Sequence, residues 1–134
     1  MRVVYDTSVL ATILSRRDLI LQLQAQVLSG NLLLVTSPFI LAELERVLST
    51  KFGLTKQGAK SRARLLARVS DIVQPKRVER VSRDTSDDPI LATAVTGHAE
   101  YIITLDDDLL VLKKHRGILI IAPVEFEAVL SKAA

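Results

Sequence analysis

Four short apolar runs, "RVVYD" at 2–6, "LLLVT" at 32–36, "YIIT" at 101–104 and "ILII" at 118–121, are separated by segments long enough to hold helices. This spacing constrains the fold more than any other feature. Antiparallel neighbours need only a tight turn, whereas parallel strands need a crossover of a dozen or more residues. Apart from Arg2 and Asp6 at the ends of the first, the runs are β-branched or apolar and show no polar alternation, as strands buried on both faces do. They predict a three-layer α/β/α sandwich with a central, mainly parallel sheet.

The intervening segments carry helix signals. Val9 to Leu14 reads as a short apolar turn. In "SRRDLILQLQAQVLSGN", Ser15 and Asp18 have capping-box spacing and Gly30 is placed to end the helix. Ser37 and Pro38 are the expected N-cap and first residue of a helix through "FILAELERVL". Thr55 opens a basic helix, Asp88 before Pro89 is the expected N-cap of the next, "DDLLVLKK" reads as a short helix, and Pro123 opens the last. "IVQP" at 72–75 is too short to assign.

The 134 residues, 49% of them hydrophobic, are expected to form one domain spanning 1–134. No apolar run approaches the ~18 residues of a membrane span. There is no cysteine, hence no disulfide framework or thiolate metal site, and "MRVVYDTSVL" makes a poor signal peptide. These features fit a cytoplasmic address without a membrane.

Charge is unevenly spread. Residues 51–83 hold ten basic and two acidic side chains, and residues 84–134 hold four basic and nine acidic. Such a division fits a cation site beside an anion-binding segment, or simply a solvated surface.

Three acids fall where an open parallel sheet gathers ligands, beyond the carboxyl ends of strands and at the starts of helices. Asp6 ends the first strand, Asp106 follows the "YIIT" strand, and Asp88 begins the helix before it. Glu43 is the fourth. At about 100° per residue it falls among Ile40, Leu44 and Val47, inside the apolar arc of its helix, where an unpaired carboxylate is costly. Glu45 flanks that arc and is expected at the surface. Two carboxylates about 4 Å apart repel by roughly 4 kcal/mol at an effective dielectric of 20, so a group of them needs protons or a cation. With no His or Cys among them, all-oxygen ligation favours Mg²⁺ or Mn²⁺ over zinc. Such a site supports hydrolysis of a phosphodiester. Asp107 and Asp108 are read as favourable helix-start charges. Asp84 is read as loop, and Asp87 as either a support of the site or a solvent-facing group. His98 and His115 are read as structural or exposed.

Taken together, "VVYDTSVL", "TSPFILAELERVL", "DDPILATAV" and "YIITLDDDLL" resemble the PIN-domain family over nearly the whole chain. The resemblance implies Asp6, Glu43, Asp88 and Asp106 as catalytic and metal-binding acids. Thr7 or Ser8 would sit beside the first acid, and Thr104 would be the hydroxyl before the last. The small form is similar to the VapC-like toxins of prokaryotic toxin–antitoxin pairs. That implies a metal-dependent endoribonuclease, homodimeric and inhibited by a cognate antitoxin. An RNA-processing nuclease outside such a pair, or a non-catalytic binding module on the same fold, are the alternatives. A response-regulator receiver would need an acceptor Asp after its third strand, and a haloacid-dehalogenase-type phosphatase would need Asp-x-Asp where this chain has "DTS".

Lys56, Lys60, Arg64 and Arg68 recur every four residues and form a slowly drifting stripe along one helix. The stripe is either a phosphate track for RNA or a solvated helix face. With no Trp and five aromatics in all, base stacking is not expected to carry recognition.

Overall fold

The computed structural model describes residues 1–133. Six strands form one sheet: β1 (Arg2–Tyr5), β2 (Leu33–Thr36), β3 (Ser70–Ile72), β4 (Tyr101–Ile103), β5 (Lys114–His115) and β6 (Ile118–Ile121). Their spatial order is β3-β2-β1-β4-β6-β5. Every pairing is parallel except β5 with β6. Among the described residues seven α-helices surround the sheet: α1 (Thr7–Leu14), α2 (Arg17–Leu28), α3 (Pro38–Thr50), α4 (Lys56–Arg68), α5 (Asp88–Thr96), α6 (Asp107–Leu110) and α7 (Pro123–Ala133).

The expected sandwich is therefore present, and strand order explains its layers. The chain steps outward from β1 to β2 to β3, and right-handed crossovers put α1 to α4 on one face. It then returns to β4 through α5 on the other face. Gly97, just after α5, lies so close to Val35 of β2 that any side chain on it would strike the Val35 methyl. On the first face Phe126 of α7 packs edge-on to Tyr5, with ring centroids 6.2 Å apart, and against Tyr101 at 5.5 Å. Between the layers Val3, Val4, Leu34, Ile40, Leu91 and Ile102 are fully buried.

Several local expectations hold. The Ser37 hydroxyl accepts from Ile40 N, the Thr55 hydroxyl accepts from Gly58 N, and Gly30 leaves α2 at a φ of +82°. The "IVQP" region contributes to β3, pairing Ile72 with Thr36.

Others are corrected. The residues from Thr7 make a full eight-residue helix. This helix consumes Ser15 as its C-cap, so no capping box forms, and Asp18 instead pairs with Arg16. Asp88 is not the N-cap of α5. A 3₁₀ turn over Thr85–Asp87 runs directly into the helix, so Asp88 is its first residue and Pro89 its second. The helix read over "DDLLVLKK" stops at Leu110, because Arg116 and Gly117, at φ +48° and +82°, close a tight hairpin that draws Lys114 and His115 into β5.

Residues 73–84 have no regular structure. This strap leaves β3 at one edge of the sheet and passes along α5. There Arg77, Glu79 and Val81 lie with Leu91, Val95 and His115 around a small cavity. Among the described residues no helix is long and apolar enough to cross a membrane.

Candidate metal centre

Strand order reverses direction at β1: its successor β2 lies on one side and β4 on the other. The loops leaving such a switch point diverge and open a crevice at the carboxyl ends of the strands. Asp6 follows β1 directly, anchored by its own N–H to Ile103 O at 3.0 Å, and is 5% exposed. Its Oδ1 accepts from Val9 N at 3.0 Å and from Ser8 Oγ at 3.1 Å, capping α1. Its Oδ2 accepts from the hydroxyl of Thr104, a fully buried residue. Burial raises the Asp6 pKa and Asp106 raises it further, while these three hydrogen bonds oppose the shift.

Thr104 ties the two strand ends together, because its Oγ1 also accepts from Asp106 N at 2.9 Å. Asp106 in turn caps α6, with Oδ1 accepting from Asp108 N at 2.9 Å. Asp6, Ser8, Thr104 and Asp106 are thus linked by hydrogen bonds. Thr7 lies beside them as the first residue of α1, with a buried Oγ1 that has no hydrogen-bond partner among the described residues.

The third acid of this group is Asp87. Its pKa is pushed up to about 7, first by burial and then by the neighbouring Asp106 carboxylate, with Asp84 and Asp6 adding repulsion. Its Oδ2 is buried without a hydrogen-bond partner. Oxygens of Asp84, Asp87 and Asp108 also lie within 4.8 Å of one another.

Asp88 is committed elsewhere. Its Oδ1 accepts from Val81 N at 3.1 Å and Ser82 N at 2.8 Å, and the residue lines the cavity under the strap. The missed signal is one of register. Pro is tolerated in the first turn of a helix, and a start shifted by one residue turns the next acid by about 100°. "DDP" therefore fits either Asp as the inward group.

Glu43 is half-buried on α3, whose apolar face buries Ile40, Leu44, Val47 and Leu48 as expected. Among the described residues it makes no side-chain hydrogen bond or ion pair. Helix α3 packs on α1, the helix that Asp6 caps. His98 is exposed, and His115 lies in β5 beside Glu79, at the cavity under the strap. Lys56, Lys60, Arg64 and Arg68 are all exposed, to one side of the buried Ala59, Ala63 and Leu66 of α4.

The donor set suits a hard divalent cation: carboxylates and hydroxyls only, one buried carboxylate oxygen without a partner, and an acid whose pKa burial and neighbouring carboxylates push up to about 7.

The model of the PIN domain matches residues 2–108. No curated protein sequence matches the chain significantly. A chain of the crystal structure of VapBC2 from Rickettsia felis, bound to a DNA fragment from their promoter, shares the fold with a TM-score of 0.62 at 14% identity. The alignment covers 91% of this chain and 98% of that one. With a family model spanning most of its length, this chain belongs to the PIN domain family.

Proposed function

We propose that this protein is a metal-dependent endoribonuclease and the toxin of a type II toxin–antitoxin pair. The observation that supports the reading is the group of buried and half-buried carboxyls at the switch point, where burial and the neighbouring Asp106 push the Asp87 pKa up to about 7. Asp6, Asp87 and Asp106 would hold Mg²⁺ or Mn²⁺, with Glu43 of α3 as the fourth acid. When bound, such an ion supplies positive charge that offsets the carboxylates and the phosphate and makes water more acidic.

The chain's own residues supply orientation. Thr104 and the Val9 amide fix both oxygens of Asp6, and the Asp108 amide fixes one oxygen of Asp106. Asp87 must give up its proton for the site to load, so its free carboxylate is the binding-competent form. On α4, Lys56, Lys60, Arg64 and Arg68 would hold the RNA backbone by charge without reading its sequence.

A protein partner fits the apolar groove between α2 and α4. It has a volume of about 210 Å³ and is lined by Leu23, Val27, Leu65 and Val69, with Leu28 at its rim 86% exposed. The fold shared with a chain of VapBC2 makes an antitoxin the occupant we propose. Homodimerisation and a cytoplasmic setting belong to the same reading.

The decisive experiment is cleavage of RNA with Mg²⁺, Mn²⁺ or EDTA, followed by end-group analysis. Hydrolysis without use of the ribose 2′-hydroxyl leaves 5′-phosphate and 3′-hydroxyl ends, and EDTA or Asp87→Asn abolishes it, while His98→Ala and His115→Ala retain it. Cyclic-phosphate ends, or full activity in EDTA, would overturn the reading.

A further inference from the structure

Asp88 is 3% exposed and, among the described residues, has no cationic partner. A buried carboxylate is costly unless hydrogen-bonded donors replace water. Here the donors are two successive backbone amides, Val81 N and Ser82 N, both on the same oxygen. We infer that Asp88 is a positioning residue: it holds the strap that delivers Arg83, Asp84 and Asp87 to the carboxylate group, and is not itself a ligand there. The inference rests on the proposed cation site.

The other polar ties of the strap are weaker. Glu79 with Arg116 and Arg83 with Asp108 are exposed ion pairs, and such pairs contribute little. Ser82 Oγ reaches Asp108 O only at 3.5 Å. Asp88 accepts one part-buried and one buried bond, from Val81 N and Ser82 N, two to three residues upstream of Asp84. From Ser82 the chain of contacts continues without a gap. Its Oγ accepts from Asp84 N at 3.3 Å, and Asp84 Oδ1 then accepts from Ser86 N at 3.0 Å, setting the 3₁₀ turn that ends at Asp87. One carboxylate of α5 thereby fixes the segment entering the site, while its neighbour in sequence faces the site directly. Adjacent acids have separate tasks because consecutive residues of a helix start point about 100° apart.

The test uses the full chain in EDTA, with Mn²⁺ titration as a second readout that needs no turnover. In Asp88→Ala, amide hydrogen exchange at Val81 and Ser82 should accelerate by about tenfold or more, and Mn²⁺ affinity should fall roughly 10–100-fold. Asp88→Asn retains the accepting oxygen and should restore both to within about threefold. Asp87→Asn should lose Mn²⁺ affinity with exchange at Val81 and Ser82 unchanged. If Asp88→Asn loses Mn²⁺ as completely as Asp87→Asn, with protected amides, Asp88 is a ligand and the inference fails. Unchanged exchange in Asp88→Ala overturns it equally. Should Asp88→Ala not fold, Asp88→Asn decides alone. A wild type that binds Mn²⁺ but cleaves no RNA would refute the nuclease reading and leave these readouts intact.

Discussion

Asp87 makes the site sensitive to pH in a direction opposite to that of a salt-bridged acid. Its folded pKa of about 7 exceeds the ordinary 3.8. Between those values the folded chain holds a proton that the unfolded chain has released, so stability falls as pH rises through the window. Below it, both states are protonated and the effect vanishes. In EDTA, Asp87→Asn should therefore melt a few degrees above wild type at pH 8 and level with it at pH 4. A wild type that gains on the variant as pH rises would contradict this. Asp6→Asn is expected to behave similarly near neutrality, since burial also raises the Asp6 pKa and Asn caps helices as well as Asp. Thermal melts in EDTA should show no loss for Asp6→Asn, while cleavage falls by about 100-fold or more. A large drop in melting temperature would mean that the hydrogen bond from Thr104 needs the carboxylate for folding.

At the scale of elements, the crevice depends on how closely α5 approaches the sheet. Gly97 allows the C-terminal end of α5 to sit on Val35 of β2, and its carbonyl accepts from Arg2 Nε at 2.7 Å, tying that end to β1. The same helix begins at Asp88, beside the carboxylate group, so its placement sets the position of Asp87. A methyl at residue 97 would force either Val35 or the helix to move. Gly97→Ala should cost about 1–3 kcal/mol, the usual penalty of overpacking, read as a lowered urea midpoint with an unchanged slope. An unchanged midpoint would show that Val35 yields freely.

Across the whole molecule, acid and base are segregated. The carboxylates lie at the carboxyl ends of β1 and β4, in the middle of the sheet, while α4 packs on α3 and on β3 at its edge. RNA binding and cation binding should therefore separate by mutation. Reversing Lys60 and Arg64 to Glu is expected to weaken RNA binding and reduce its salt slope by about 0.7–0.9 per lost phosphate contact. Mn²⁺ affinity should stay unchanged. A salt slope equal to that of wild type would remove α4 from the RNA surface and leave its basic residues as a solvated face.

Much of this was legible in the chain itself. Continuous apolar strands separated by helix-length segments dictate a parallel sheet, since burial on both faces and long crossovers leave little else. That sheet alone puts Asp6 and Asp106 at the carboxyl ends of its strands, because both lie just beyond strands. Local chemistry also determined the Ser37 and Thr55 caps, where one side chain meets one nearby amide. What the sequence left undecided were questions of register and partner. Whether Asp87 or Asp88 faces the site depends on where the 3₁₀ turn hands over to α5. The destination of Asp88 depends on a strap that carries no periodicity to read. The strand β5 forms only because β6 offers it an edge, and Ser15 ends α1 before it could cap α2. Each of these outcomes rests on contacts between residues remote in the chain or on competition between adjacent elements, and only tertiary packing resolves them.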